Sequence, residues 1–434
     1  MEFIKKIIKH ELVTGSFFIF AGSMFANFLA FLLNLFLARN LTYADYAVFA
    51  SLSSVITLAS IPATSINTII IKFAASYFAQ KQNDKLKTLY LIFFKFILGL
   101  SFSVILISIL LANPLKSYLK IDNIWYIFIS GIAICAFYFS ILNTAFLQSL
   151  LKFKFLSLVN AFGGIVKLAV GITLVMLGYK AFSGLWAIVF MMLGMFIIGF
   201  MPLVKVLNTK SLEKLSLQVK ELISYAIPTF ITVLFLTSFT STDVILVKHF
   251  FNSHLAGYYA GLSLMGKVIF YFTFPIPMVM FPLLVKRHSK GIKFNNLFYL
   301  ALILVTAPSI FLTFFYFTAP DFFIKLFLGG REYLYVAPYL GMFGFYLTVF
   351  SLVNVCVNFF LSLNQTNISI PVVGAGIFQI ILIYIYHSNF YEIIGVSLLV
   401  LSLLLIFLLY IFFKNYGNWE GFRKNIAFFN SPGL

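Results

Sequence analysis

The chain has 434 residues, of which 62% are hydrophobic and 10% are charged, and its mean hydropathy is +1.04. A soluble globular protein is roughly half apolar and a quarter charged, so this composition excludes water as the main solvent of the chain. The formal net charge of +18 does not indicate nucleic-acid binding, because the basic residues punctuate apolar segments and do not cluster on one polar module.

Apolar runs recur along the whole chain between short polar breaks. A helix needs roughly 20 apolar residues to cross the hydrocarbon core of a bilayer, and about twelve runs of that size are present. In chain order, the predicted transmembrane helices are residues 12–37, 44–71, 88–112, 123–149, 155–178, 182–204, 221–246, 255–284, 294–317, 334–362, 369–387 and 390–413. The pattern therefore predicts an all-α membrane protein.

Basic residues are distributed unequally between the two sides of these helices. The termini and the even-numbered loops carry most Lys and Arg residues, whereas the odd-numbered loops carry only Arg39, Lys116, Lys120, Lys180, Lys248, Lys325 and Arg331. Because excess positive charge stays in the cytoplasm, both termini are predicted to be cytoplasmic and the odd-numbered loops to be outside. The two cysteines, Cys135 and Cys356, each lie inside an apolar run, which indicates packing residues and neither a disulfide nor a metal site.

An internal repeat relates the two halves of the chain. The segment Leu37–Leu52 parallels Leu246–Ser263; the paired residues are Arg39 with Lys248, Asn34 with Asp243, Pro62 with Pro275 to within one residue, and Gly184 with Gly395. Six helices per repeat preserve orientation, so the repeat is parallel, with its pseudo-axis along the membrane normal. We predict an N-terminal six-helix bundle (1–206), a cytoplasmic linker (207–220), a C-terminal six-helix bundle (221–413) and a cytoplasmic tail (414–434).

Two such bundles suit alternating access around a cleft, and a duplicated scaffold without a pathway is the alternative. The order of features resembles the polysaccharide-unit flippases of the multidrug/oligosaccharidyl-lipid/polysaccharide exporter superfamily over nearly the whole chain. The residues that carry this resemblance are Leu37-Ala-Arg39, Ala44-Asp-Tyr46, Leu147-Gln148, Thr242-Asp243, Ala256-Gly-Tyr258 and Leu363-Asn-Gln-Thr366.

The resemblance implies a fold like that of the MATE transporters and a location in the bacterial inner membrane. It implies that the chain flips an undecaprenyl-diphosphate-linked oligosaccharide, such as an O-antigen unit of lipopolysaccharide, to the outer leaflet through a cationic central cavity. The partners that it implies are this lipid-linked substrate, membrane lipids, H⁺ or Na⁺ as a coupling ion, and the polysaccharide polymerase machinery. No cofactor, metal ion or nucleic acid is expected.

Lysines inside the predicted helices are the first candidates for binding the diphosphate, since a charge at the bilayer centre costs at least roughly 2.5 to 3.5 kcal/mol and normally faces a polar interior. Lys267 lies deep in the eighth helix, Lys167 near the middle of the fifth, and Lys95 about two turns into the third. Lys95 has the alternative of extending to the cytoplasmic interface. Arg39 offers bidentate phosphate geometry or an interfacial anchor, and the Asn34 amide suits a sugar hydroxyl.

Other residues suggest ion coupling and bending. Asp243 is a candidate for ion coupling by protonation, or alternatively a counter-charge to Lys248. Asn143 and Gln379 are among the intramembrane polar residues that bind either sugar hydroxyls or neighbouring helices. The prolines Pro62, Pro275 and Pro277 interrupt helical runs and are hinge candidates: Pro275 and Pro277 make the eighth helix the most bent one.

Two other functions compete with flipping. A drug or metabolite antiporter of the same superfamily would more naturally show buried carboxylates for cationic substrates, whereas lysines outnumber carboxylates in these helices. A sugar-repeat polymerase would place catalytic polar residues in a large outer loop. The longest predicted outer loop, roughly residues 318–333, has few such residues, and no HExxH, GxSxG or P-loop motif occurs, so an enzyme is not predicted.

Overall fold

The computed structural model of the chain describes residues 11–208, 219–289, 294–329 and 332–416. In the first half, the helices are α1 (Glu11–Asn40), α2 (Tyr43–Ala59), α3 (Pro62–Ala79), α4 (Asn83–Leu110), α5 (Ala112–Tyr118), α6 (Trp125–Ser149), α7 (Phe153–Met176) and α8 (Phe182–Leu207). In the second half, they are α9 (Val219–Phe239), α10 (Thr242–Phe250), α11 (Ser253–Thr273), α12 (Pro275–Ser289), α13 (Asn295–Thr318), α14 (Pro320–Leu328), α15 (Ala337–Ser362), α16 (Ser369–Ile385) and α17 (Phe390–Tyr416). Short 3₁₀ turns cover Glu332–Val336 and Thr366–Ile368.

The helices confirm a multi-pass membrane protein. In the described ranges, ten helices are long and apolar enough to cross a bilayer, and α9 and α10, bent by 47° at a short break, make an eleventh. Large apolar side chains such as Phe102 and Phe272, each 63% exposed, cover the outside. Soluble monomeric proteins rarely expose such extended apolar surface, so we infer that lipid covers it.

The number of spans is lower than the predicted twelve because the second predicted span, residues 44–71, is not one long helix. A break at Ser60 and Ile61 divides it into α2, of 17 residues, and α3, of 18 residues. Pro62 begins α3, where its missing N–H group costs nothing because the first N–H groups of a helix have no partner within the helix. Residues 1–10 and 417–434, at the two termini, lie outside the described residues. The cytoplasmic location of both termini stays a prediction.

The chain forms two compact units, described separately below. Unit 1 comprises Met1–Phe230 together with Lys248–Ala260, and unit 2 comprises Ile231–Val247 together with Gly261–Leu434. Residues 209–218 of the predicted linker 207–220, and nearly all of the predicted tail 414–434, lie outside the described residues. The predicted domain boundaries remain predictions.

Unit 1 is built around α6, its most buried long helix. Helix α6 packs against α3, α4 and α8, while α1 packs along α7. Asn143 of α6 fixes two of these neighbours, because its Oδ1 accepts a hydrogen bond from the Tyr90 hydroxyl at 2.8 Å and its Nδ2 donates to the Phe196 carbonyl at 2.7 Å. These bonds assign Asn143 to helix packing, one of the two roles predicted for the polar residues.

Unit 2 repeats this arrangement around α15, the most buried span of the described chain. Helix α15 packs against α12, α13 and α17, as α6 packs against α3, α4 and α8 in unit 1. The order of the partners along the chain is the same in both units. The packing therefore confirms the predicted pseudo-symmetric repeat.

Each unit contains a helix break that is followed by a helix beginning with proline. In each unit, a residue at the end of the helix before the break is hydrogen-bonded to the central helix. Pro62 is the first residue of α3, and Pro275 is the first residue of α12, with Pro277 two positions later. In unit 1, Tyr138 of α6 donates to the Ala59 carbonyl at the break, at 2.8 Å. In unit 2, Thr273 donates to Ser351 of α15 at 3.0 Å.

Candidate transport site in the membrane spans

The most distinctive site of unit 2 lies at the break between α9 and α10. A helix break frees carbonyl groups that would otherwise accept hydrogen bonds within the helix, and inside a membrane these groups need other donors. At this break, the Phe239 carbonyl accepts from the Tyr346 hydroxyl at 2.5 Å and from Gln379 Nε2 at 3.2 Å. Donors from helices α15 and α16 therefore stabilise the break. We call this group the break site.

Asp243 lies in the first turn of α10 and is fully buried, at 0% exposure. Its Oδ1 accepts a hydrogen bond from the Val244 backbone N–H at 2.8 Å, and the positive end of the helix dipole favours its carboxylate. Lys267 of α11 is half-buried and close enough to Asp243 for their charges to interact. In a medium of low dielectric constant this attraction is several times stronger than in water. The structure thus brings together two residues that the sequence identified separately.

Gln379 completes the break site. Its Nε2 also donates to Ser397 Oγ at 2.9 Å, while its Oε1 is buried and accepts no hydrogen bond from the described residues. The site therefore offers the Gln379 amide oxygen and the Asp243 carboxylate, with the Lys267 ammonium within electrostatic range of Asp243. Such a set of oxygens can bind a proton or a small cation.

Sequence reasoning named Gln379 only as one polar residue among several, and it missed Tyr346 and Ser397. A tyrosine and a serine in apolar runs carry no signal of their own. The polar run Thr240–Ser241–Thr242 in an otherwise apolar span was the available signal for the break.

In unit 1, Lys167 is half-buried on α7. It shares one helix face with Gly164 and Gly171, three residues before it and four after. These glycines let α1 approach closely, since a Cβ atom at Gly164 would lie 2.9 Å from Ala26 Cα and one at Gly171 would lie 2.4 Å from Leu33 Cδ1. Lys167 is therefore located beside the α1–α7 contact.

The other cationic candidates of unit 1 are more exposed than Lys167. Lys95 lies on an exposed face of α4, and Arg39 is exposed in the last turn of α1. Asn34 is half-buried, and its Nδ2 donates to the Ala30 carbonyl of its own helix at 2.8 Å. The substrate-binding roles of these residues stay predictions.

Known proteins provide an independent comparison. A family model described as a polysaccharide biosynthesis protein matches residues 36–338. No curated protein matches the chain. Among solved structures, the chain is similar to a lipid II flippase MurJ in an inward closed conformation, with a TM-score of 0.66 and 16% identity over 90% of this chain and 86% of that one.

Two MATE transporter structures are also similar. The multidrug transporter DinF-BH gives a TM-score of 0.68 with 13% identity, covering 93% of this chain and 96% of that one. The eukaryotic transporter AtDTX14 gives a TM-score of 0.66 with 14% identity, covering 94% and 96%. At these identities the likeness concerns the fold, and it confirms the predicted all-α fold of the MATE type.

Proposed function

The chain belongs to the polysaccharide biosynthesis protein family, and from that premise we propose that it flips an undecaprenyl-diphosphate-linked oligosaccharide from the cytoplasmic to the outer leaflet of the bacterial inner membrane. The family supports a role in polysaccharide assembly, and the fold it shares with a lipid II flippase and with MATE transporters supports transport of a substrate across the bilayer. Neither the family nor the fold identifies the substrate, and we infer its chemical class from the intramembrane lysines.

One observation carries the choice of an anionic lipid-linked substrate: half-buried lysines lie inside the membrane spans of both units. Lys167 belongs to unit 1 and Lys267 to unit 2. An ammonium group away from bulk water is costly to keep charged, and it binds an anion more strongly than it would in water. A diphosphate is the anion by which the proposed substrate would engage these lysines, with Lys95 and Arg39 as further contacts and Asn34 binding its sugars.

The electrostatic interaction between Lys267 and Asp243 supports a coupling mechanism. When Asp243 is ionised, it competes with the diphosphate for Lys267. When a proton or Na⁺ neutralises Asp243 at the break site, Lys267 is released to bind the substrate. The ion and the substrate then each raise the affinity of the site for the other, as linkage between two binding events requires.

The hinges of this mechanism are proposed at Pro62, Pro275 and Pro277. Each break separates two consecutive helices, so bending at the break changes few hydrogen bonds within either helix. Alternating access would follow from rocking of helix segments around these breaks.

A complementation experiment tests the proposal. The gene is deleted, and the leaflet location of the diphosphate-linked intermediate is measured after restoring the wild type, Lys267→Ala, or Lys325→Ala as an exposed control outside the long spans. We expect the intermediate to accumulate on the cytoplasmic leaflet, and the wild type and Lys325→Ala, but not Lys267→Ala, to relieve it at matched expression. If single units still reach the surface of the deletion strain while long chains vanish, the chain acts as a polymerase and the proposal is wrong.

A drug or metabolite antiporter is the second candidate, because the fully buried Asp243 carboxylate would suit a cationic substrate. The same strains distinguish it. An antiporter predicts that deletion sensitises cells to cationic compounds, that Asp243→Asn fails to restore resistance, and that the lipid-linked intermediate stays normally distributed.

A further inference from the structure

A cavity of about 370 Å³ lies within unit 1, and its lining includes none of the residues of the proposed transport site. Its walls come from the first turn of α2, the α5–α6 connection with the start of α6, the α7–α8 connection, and the segment where α10 ends and α11 begins. All four belong to the odd-numbered loops that the charge distribution predicts to be outside. We call this cavity the outer-end pocket. Its volume falls within the roughly 300 to 1,000 Å³ of small-molecule sites.

Cations outnumber anions around the outer-end pocket. Lys120, Lys180 and Lys248 line it against Asp45 and Asp122. Lys248 is only 2% exposed; its Nζ donates to Ser253 Oγ at 3.0 Å, and its charge interacts with both Asp122 and Lys120. Because three lysines face two aspartates, a further negative charge in the pocket would be attracted.

Asp45 is partly engaged by its own helix end. Its Oδ2 accepts from the Thr42 hydroxyl at 2.7 Å, and its backbone N–H donates to Thr42 Oγ1 at 3.1 Å, as in the cap of a helix N-terminus. This local role lowers its capacity to neutralise the three lysines. The pocket therefore carries a net positive charge of about one. One carboxylate neutralises this charge, whereas a phosphate monoester of charge about −1.5 to −2 leaves an uncompensated negative charge in the pocket.

The remaining lining groups suit a sugar ring. Tyr126 stacks on Phe182 with ring centroids 4.0 Å apart, and Tyr179 is exposed at the rim. Asn123 Oδ1 accepts the Trp125 backbone N–H at 3.0 Å, so its Nδ2 is the end available to a ligand oxygen. Aromatic faces combined with amide and carboxylate groups provide both apolar contact and hydrogen bonds, which a polyhydroxylated ring requires.

We propose that the outer-end pocket binds a hexuronic acid, a sugar with one carboxylate, belonging to the glycan that has reached the outer leaflet. The lysines bind the carboxylate, while Asn123, the aspartates and the aromatic rings bind the ring and its hydroxyls. The source of the sugar rests on the proposed function, but the binding chemistry does not. Binding at this end would retain the glycan after transfer and so oppose its return.

Direct binding to the purified full-length protein in lipid nanodiscs tests the proposal. Glucuronate, glucose and inorganic phosphate are titrated in a calorimeter against the wild type, Lys180→Asn and Lys81→Asn. Lys180 and Lys81 are matched because both are exposed and have left-handed backbone, with φ of 45° and 58°, a conformation that asparagine tolerates well. Lys81 lies in the α3–α4 connection, outside the pocket.

We expect glucuronate to bind the wild type at least tenfold more tightly than glucose or phosphate, Lys180→Asn to weaken glucuronate tenfold or more, and Lys81→Asn to leave it unchanged. The proposal is overturned if glucose binds the wild type as tightly as glucuronate does, if phosphate binds more tightly than glucuronate, or if Lys180→Asn binds glucuronate as tightly as the wild type. Lys267→Ala is titrated in parallel and should bind glucuronate as the wild type does. If the wild type fails to flip the lipid-linked intermediate but binds glucuronate, the transport proposal alone is refuted. If the wild type flips the intermediate but does not bind glucuronate, the proposal for the outer-end pocket alone is refuted.

Discussion

At the scale of the residue, the surroundings of the lysines distinguish Lys167 from Lys95. Lys167 is half-buried beside the α1–α7 contact, whereas Lys95 is exposed on α4. The charged end of an exposed lysine can extend towards lipid headgroups. Replacing such a lysine with a neutral residue should therefore change the flipping rate little. We expect Lys167→Gln to lower the flipping rate about tenfold, equivalent to about 1.4 kcal/mol of substrate binding, and Lys95→Gln to lower it less than about twofold. Leaflet assays at matched expression measure both rates, and equal losses would show that Lys95 contributes to transport as much as Lys167 does.

A second prediction at this scale concerns Gly257. A Cβ atom there would lie 2.2 Å from the Tyr43 carbonyl oxygen, a backbone atom that cannot rotate away, whereas a Cβ atom at Gly374 would meet nothing within 4 Å. Overpacking of this kind costs typically about 1 to 3 kcal/mol. We expect Gly257→Ala to lower the midpoint of thermal unfolding in detergent and Gly374→Ala to leave it unchanged or raise it. An unchanged midpoint in Gly257→Ala would mean that the start of α11 can move away from α2.

At the scale of the element, the break between α9 and α10 depends on two donors to one carbonyl. Tyr346→Phe or Gln379→Leu leaves Phe239 with one donor, so each is expected to cost about 0.5 to 1.5 kcal/mol. The double variant leaves a buried carbonyl without either donor, with a further penalty of about 1 to 3 kcal/mol. Unfolding of the four proteins in mixed micelles gives the coupling energy. Additive losses would show that another donor reaches this carbonyl.

The same break shows how far the sequence predicts the fold and the site. Hydropathy located the long spans because it counts apolar residues over a helix length, and for that reason it read residues 44–71 and 221–246 as continuous helices. Whether a break is stable depends on donors from distant helices, such as Tyr346 for the Phe239 carbonyl and Tyr138 for the Ala59 carbonyl. Asp243 and Lys267 were identifiable one by one as intramembrane charges, but their electrostatic interaction depends on the tertiary structure, which spacing along the chain does not encode.

At the scale of the whole molecule, the predicted orientation is open to a labelling experiment. Cys135 and Cys356 are both buried, so the wild type should react little with an impermeant maleimide. We expect Lys180→Cys to be labelled in intact cells, because its loop is predicted to be outside, and Lys81→Cys only after permeabilisation. The reverse pattern would invert the orientation and place the outer-end pocket in the cytoplasm.

The composition of unit 1 also has a consequence for biosynthesis. Its compact fold includes Lys248–Ala260, which follow in the chain only after Ile231–Val247 of unit 2, and Gly257 packs on Tyr43 near the start of unit 1. A ribosome adds about 5 to 20 residues per second, so the first eight helices emerge several seconds before the segment that completes their bundle. During that interval the nascent chain must be kept from aggregating by the insertion machinery or by the lipid itself.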